Sequence, residues 1–380
     1  MKRILRHGYT TGACAAAAAK GAAIMLGRQE LVNEATIDLP AGYPVTFQLH
    51  GCSFNSERAS CFIVKDAGDD PDITNGAEIH AEVMATPSIS FFKAGTISIS
   101  AITVTGGTGI GKITKPGLAV PPGEFAINPV PRRMIEEALR QVFPLVSDSS
   151  SLAACDGSLQ VTISIPDGEV RAKKTLNSRL GIIGGLSILG TTGIVRPISA
   201  KAWTDTIDAA LDVAKASGCS TVILSTGRTS ELAAQKRLSA PSGSTQSTSA
   251  PEEAYIMMGD HVAYALRAAV QRNFMRPVIA CQFAKLLKIA CGHENTHAAA
   301  SELDLTKLLE WARSAGLSSE ITTVIANANT AREVVTTCNF AEDLVDLVKR
   351  YALQAAKQHA PKVDPIFLVA DYKGELQEDF

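Results

Sequence analysis

Apolar positions repeat with two different periods along this chain, and the change falls near residue 200. Before it, residues 35–39, 45–49, 60–65 and 79–85 are short strand-like runs at close spacing. Residues 96–105 alternate in two halves. Ile97 and Ile99 share one face, then Ile102 and Val104 share the other. That change of parity predicts either a bulge near Ser100 or burial on both faces. An alanine-rich stretch around residues 15–19 predicts a helix capped at Thr10 or Thr11. A proline-rich loop spans 116–131, a helix follows over 132–142, then a strand over 160–165 and a glycine-rich connector over 181–193.

Beyond residue 200, strand and helix patterns alternate. Residues 204–216 place Ile207, Ala210, Leu211 and Ala214 on one helical face, and Gly218 ends that helix. Strands are expected at 221–224, 277–281, 321–326 and 366–370. Helices are expected at 230–238, 252–272, 284–290 and 305–315, with two more across 331–358. Such alternation predicts a parallel sheet covered by helices on both faces, with ligands at the carboxyl ends of the strands. The polar, low-complexity stretch 239–251 reads as a solvated surface insertion. The expected fold is therefore an α+β domain over 1–200, carrying glycine-rich loops, followed by a Rossmann-like α/β domain over 201–380 with a mostly parallel sheet.

Composition narrows the function. At 380 residues and 46% hydrophobic content the chain is globular and long enough for more than one core. Lys and Arg number 36 against 38 Asp and Glu, and aromatics make up 5%. Neither a phosphate-neutralising surface nor a base-stacking platform is indicated, so nucleic acid is not expected as a partner. The eight cysteines form no C-x-x-C pair, which reads as free, buried thiols in a reducing cytoplasm. Lys2, Arg3 and Arg6 ahead of an alanine run imitate a signal peptide, but residues 8–12 and Lys20 interrupt it. No run approaches the roughly 18 apolar residues that a membrane span needs.

Five stretches carry candidate chemistry. Gly106, Gly107, Thr108, Gly109, Gly111 and Lys112 match most of a phosphate-binding loop after a strand. Ile113 replaces the metal-binding hydroxyl, and the following prolines forbid the helix such a loop needs. What remains is either a backbone cradle beside a lysine or a tight strand-end turn. His293 and His297 fit H-E-x-x-H, but Gly292 predicts that the helix stops first. The acidic loop 66–76 holds Asp69 and Asp70, read as a base in a cleft or as solvated turn residues. Thr-Thr-Gly occurs at Thr10-Thr11-Gly12 and at Thr191-Thr192-Gly193, to present hydroxyls or simply to cap and turn. Residues 225–230, with Gly227 and Arg228, follow a strand and open a helix, and Gln282, Lys285 and Asn327 stand at equivalent strand ends.

Taken together, several long motifs resemble one family. They are Leu5 through Gly12 with the alanine helix, Lys65 through Gly76, and Gly106–Gly111 continuing to Asn128-Pro129-Val130-Pro131-Arg132. Leu180 through Gly185 continuing to Gly190–Pro197, and Asn295-Thr296-His297, complete the set. In this order, over nearly the whole chain, they are similar to the cobalt-precorrin-5B C(1)-methyltransferases of anaerobic cobalamin biosynthesis. A stretch that is often Gly-His-Ile-Gly-Lys in that family reads Cys281-Gln282-Phe283-Ala284-Lys285 here, so only Lys285 carries over.

The resemblance implies methyl transfer from S-adenosylmethionine to ring carbon 1 of a cobalt-containing corrin precursor, giving cobalt-precorrin-6A. It implies Asp69, Asp70 or His297 as the base that takes up the released proton. The cofactor would meet Gly106, Gly107, Thr108, Gly109, Gly111, Gly184, Gly185, Thr191, Thr192, Gly193 or Gly227. The polycarboxylate substrate would meet Thr10, Thr11, Lys112, Arg132, Arg196, Arg228 and Lys285. No protein-bound metal and no membrane are implied, and a homo-oligomer stays open. A zinc hydrolase built on His293 and His297, and a non-catalytic corrinoid carrier, remain as alternatives.

Overall fold

The computed structural model describes residues 5–86, 99–144, 157–239 and 250–374. Two compact units divide the chain, 1–199 and 200–380. Both mix helices with strands.

The first unit is built round one helix. Strand β1 (Gly8–Tyr9) leads into helix α1 (Thr11–Arg28), whose cap is the Thr10 hydroxyl, accepting the Ala13 N–H at 3.2 Å. Ala13 through Ala19 are all completely buried, as are Met25 and Leu26. A helix buried all round must be smooth, and alanine supplies smoothness without loss of helix propensity. Lys20 is its polar exit, its ammonium reaching the Thr36 carbonyl at 2.6 Å.

Strands β2 (Glu34–Asp38) and β3 (Pro44–Gln48) pair as an antiparallel ribbon beside α1. Next come β4 (His50–Phe54), β5 (Arg58–Val64), β6 (Glu78–Thr86) and β7 (Ala101–Gly106). After the two-residue β8 (Lys112–Ile113) and helix α2 (Pro129–Arg140), strand β9 (Ser158–Ser164) completes a five-stranded sheet ordered β4-β5-β6-β9-β7. Every pair in it is antiparallel except β7 with β9. Alternate residues Ala59, Cys61, Ile63, Ile79, Ala81, Val83, Leu159, Val161 and Ile163 are buried and share one core with α1 and α2. The parity change in the predicted strand 96–105 falls at Ser100, a bend between buried Ile99 and β7; residues 96–98 lie outside the described residues. Helix α3 (Gly168–Ala172) and strands β10 (Ile182–Ile183) and β11 (Ile194–Val195) finish the unit. Strand β10 pairs with β8, and β11 pairs with β1.

The second unit opens with helix α4 (Ala200–Ala216), then β12 (Ile223–Ser225) and α5 (Arg228–Ser239). The expected helix over 252–272 is corrected. A single 3-10 turn (Glu252–Ala254) leads into strand β13 (Tyr255–Met257), and helix α6 covers only Val262–Gln271. The short run 255–257 is apolar enough for either structure, and pairing with β12 decides it. Strand β14 (Val278–Gln282) and helices α7 (Phe283–Ala290) and α8 (Leu305–Ser314) follow. The expected strand over 321–326 is also corrected: Ser319–Asn327 is helix α9, started by the Ser318 hydroxyl. There the cap and packing override the β-branched composition. Asn327 accordingly ends a helix and stands at no strand end. Helices α10 (Ala331–Thr337) and α11 (Glu342–His359) and strand β15 (Ile366–Ala370) close the chain.

The four strands are parallel and ordered β13-β12-β14-β15. Helix α5 covers one face through Ile223, Tyr255, Ala280 and Leu368. Leu224, Ile256, Ile279 and Val369 turn to the opposite face, into the core that holds α4, α6, α7 and α11. The expected insertion 239–251 lies almost wholly outside the described residues. Seven cysteines are described and all are free; burial pushes the Cys14 and Cys61 thiols up to about 12.

Glycines in the first unit hold segments at distances that exclude a side chain. A Cβ on Gly109 would stand 1.8 Å from the Ile165 carbonyl oxygen, whereas one on Gly184 would meet nothing within 4 Å. Both have positive φ. Gly184→Ala should therefore cost about 1 kcal/mol, the left-handed strain alone. Gly109→Ala should cost roughly 3 kcal/mol or more, or abolish folding of this unit. Urea unfolding of the two variants checks the difference.

Candidate functional site

The acidic loop is held by what lies next to it. Gly8 crosses so closely that its Cβ would fall 2.0 Å from the Ala67 carbonyl carbon. Tyr9 N–H donates to the Asp66 carbonyl at 2.8 Å. The Arg6 guanidinium pairs with both Asp66 oxygens, which holds that carboxyl below the usual range. Asp69 accepts the Arg6 N–H at 2.8 Å, and Asp70 accepts the Ile198 N–H at 2.9 Å. Asp72 meets the Lys65 ammonium at 2.6 Å. The Lys65 side chain is 1% exposed. Burial pushes the Asp72 carboxyl up, but Lys65 and two bonds from Thr74 outweigh it and hold it below the ordinary value. Asp69 and Asp70 thus sit half-buried in a loop whose charges are largely answered by neighbouring segments.

The two glycine-rich loops meet each other. Gly111 N–H donates to the Leu186 carbonyl, and Leu186 N–H to the Gly109 carbonyl, both at 2.9 Å. A Cβ on Gly185 would lie 2.2 Å from the Gly109 carbonyl oxygen. Gly106 is covered by the Phe125 ring, Gly107 by Ser164, and Gly193 by Leu39. Thr108 is exposed, and its carbonyl accepts the Ile165 N–H. No helix follows this loop; β8 does.

The two Thr-Thr-Gly segments also come together. Thr10 N–H donates to the Gly193 carbonyl, Gly12 N–H to the Leu189 carbonyl, and Leu189 N–H to the Thr11 hydroxyl. Thr10 and Thr11 are buried with their hydroxyls engaged, while Thr191 and Thr192 are exposed. Among the cations, Lys112 is exposed over the Phe125 ring and Arg196 is exposed. Arg132 donates to the Val104 carbonyl at 2.9 Å.

In the second unit the carboxyl edge of the parallel sheet gathers a polar cluster. Lys285 pairs with Asp260 and donates to the Thr296 carbonyl at 2.9 Å. The buried Thr296 hydroxyl donates to Asp260 at 2.7 Å. Desolvation pushes Asp260 up, and bonds from Lys285 and Thr296 bring it below the ordinary range. Lys288 caps the same Thr296 carbonyl at 3.2 Å, and desolvation lowers its pKa. His297 is exposed, its Nδ1 accepting the Ala299 N–H at 3.1 Å. A neutral ring so held carries its proton on Nε2. Across the sheet, Ser225 ends β12 fully buried, and its hydroxyl has no hydrogen-bond partner. Gly227 follows with no atom within 4 Å of the position a Cβ would take. Arg228 pairs with the buried Glu231.

Helix α7 stops at Ala290 and Gly292 turns with φ +86°, so His293 and His297 do not share a helical face. Among the described residues no group of three His, Cys, Asp or Glu is placed to hold a metal ion. None of the described helices is long and apolar enough to cross a membrane. The residues that sequence reasoning missed are Arg6, Lys65 and Asp260. Asp260 was hidden inside the helix expected over 252–272. Arg6 and Lys65 became meaningful only through their partners, Asp66 sixty residues from Arg6 and Asp72 across a turn from Lys65.

Glycine-rich connections in one unit and a parallel sheet with a polar carboxyl edge in the other define a mixed α/β protein. The family described as CbiD matches residues 1–197, and CbiD, C-terminal domain, matches 295–377. A relative from Pelobacter propionicus, named cobalt-precorrin-5B C(1)-methyltransferase, is 58% identical over 98% of this chain and 95% of its own length. One of the same name from Geobacter sulfurreducens is 56% identical over 97% of each chain. A crystal structure of the cobalamin biosynthesis protein cbiD from Archaeoglobus fulgidus is 28% identical, covering 82% of this chain and 85% of that one, with a TM-score of 0.37. This chain belongs to the CbiD family.

The Lys65–Asp72 pair makes an acid-stability prediction. Asp72 has a folded pKa below its ordinary 3.8, so its stabilisation is present above that value and is lost as pH falls through the folded one. Asp72→Asn leaves the Lys65 ammonium buried without its counter-charge. It should cost roughly 2–3 kcal/mol at pH 7, below the full cost for a completely buried pair because Asp72 is 24% exposed. Unfolding curves from pH 7 down to 3 should show a shallower loss for the variant than for the wild type.

Proposed function

We propose that the chain methylates carbon 1 of the cobalt-precorrin-5B macrocycle, giving cobalt-precorrin-6A, with S-adenosylmethionine as the methyl donor. The carrying observation is the family assignment: relatives more than half identical over nearly the full length bear that name. The chemistry suits the residues present. Methyl transfer is an in-line displacement at a sulfonium carbon, so the protein's work is positioning and electrostatics. The ring carbon supplies the electron pair, the sulfonium sulfur keeps the pair from the broken bond, and a proton is later lost.

A donor of this kind requires backbone that a ligand can approach. Gly184 and Gly227 give it, because space stays open where a side chain would begin. Most other glycines of the two loops are filled by protein. Exposed Lys112 and Arg196 are proposed to meet carboxylate arms of the substrate. Asp69 and Asp70 are proposed as the proton acceptor. His297, with its proton on Nε2, is arranged to donate a hydrogen bond. The proposed setting is the cytoplasm, and the parallel unit is read as Rossmann-like.

The zinc alternative is not favoured, since the two histidines lie beyond the end of α7. A non-catalytic carrier would bind corrinoid without turnover. Incubation with cobalt-precorrin-5B and donor should release S-adenosylhomocysteine in equal amount to methylated corrinoid, and its absence overturns the proposed reaction. Asp70→Asn keeps the shape of the side chain and should lower turnover by roughly 100-fold or more with corrinoid binding retained. Unchanged turnover would move the proton acceptor to Asp69. Lys112→Ala with Arg196→Ala should raise the KM for corrinoid several-fold with little change in kcat.

A further inference from the structure

We propose that S-adenosylmethionine binds within the second unit, in the crevice at the carboxyl ends of β12 and β14, against Ser225, Gly227 and Gln282. The inference rests on the donor reading above and goes beyond it by choosing a place.

Topology makes the first argument. From β12 the chain passes to β13 on one side, then returns past β12 to β14 on the other. The connections leaving β12 and β14 therefore diverge, and open parallel sheets bind ligands at such a switch point. The register Ser225↔Ala280 carries β14 two residues further, to Gln282. Side chains alternate across a strand. Ile223 and Ala280 lie on the α5 face, so Ser225 and Gln282 share that face at its carboxyl end.

Unmet chemistry makes the second. The Ser225 carbonyl is used, accepting N–H bonds from Met258 at 2.9 Å and Gly259 at 3.2 Å. Its hydroxyl is 0% exposed and unpaired. A buried hydroxyl in that state is destabilising, and a ligand atom at the strand end would satisfy it. The open backbone of Gly227 stands two residues away, where α5 begins. On the other side of the crevice, Gln282 opens α7 without a side-chain capping bond, leaving first-turn N–H groups for an anionic group. A nucleoside carrying hydroxyls, with an amino-acid carboxylate at its other end, matches a hydroxyl, an amide and an uncapped helix start. The loops of the first unit offer less: Gly106, Gly107, Gly109, Gly111, Gly185 and Gly193 are each covered by protein.

The test uses the full chain and S-adenosylmethionine itself, by calorimetry with and without corrinoid. Gly227→Leu enters open space and should fold as the wild type does, yet weaken donor binding by about ten-fold or more. Ser225→Ala should weaken it by roughly five-fold while raising the melting temperature of the ligand-free protein, because it removes an unpaired buried group. A hydroxyl with a purely structural role would lower that temperature instead. Donor-dependent protection in hydrogen exchange should fall on residues 225–231 and 282–286. Wild-type affinity in both variants, or protection confined to 106–111 and 181–193, overturns the proposed place and leaves the donor reading standing. No donor binding by the wild type in either condition overturns both.

Discussion

Close approach of backbone to backbone is the constraint on which the first unit rests. Strand β1 crosses the acidic loop at Gly8 and Gly68, and Gly109 stands against Ile165, Gly168 and Gly185. At each crossing a methyl group would overlap a main-chain atom. The alanine helix applies the same rule at larger scale, since the methyl side chains of Ala15–Ala19 let α2 and the sheet close round it. Glycine and alanine here act less as flexible residues than as spacers of the smallest size.

Charge is handled in the opposite way in the two units. In the first, the acidic loop is answered by Arg6, Lys65 and backbone N–H groups of neighbouring segments. In the second, two ammonium groups, Lys285 and Lys288, crowd one carbonyl beside a single carboxylate, Asp260. The crowding is local to that carbonyl, since Arg228 at the same edge is matched by the buried Glu231.

The alternation of strand and helix was legible for β14, β15 and most helices because each has a period long enough to count. It failed at Tyr255–Met257, where a run of three apolar residues fits either structure. It failed again at Ser319–Asn327, where β-branched residues join a helix started by Ser318. The glycine-rich loops were legible as places without room for a side chain. Whether protein or ligand takes that room depends on segments 50 to 80 residues away, as with Gly109 and Gly185, and no local pattern records it. The orphan hydroxyl of Ser225 is of the same kind. A serine at a strand end is common, and only the packed surroundings leave it unpaired.

The pairing of β1 with β11 joins residues 8–9 to residues 194–195. During synthesis β1 therefore waits for almost the last segment of its unit. The alanine helix that follows it buries nearly all its surface, against α2 and strands β2 to β6, which emerge later. A nascent chain of this design exposes an apolar helix until those segments, the last of them α2, have emerged. Its folding should accordingly be slow for its size and sensitive to how fast translation delivers residues 158–195, a dependence set by long-range contact order.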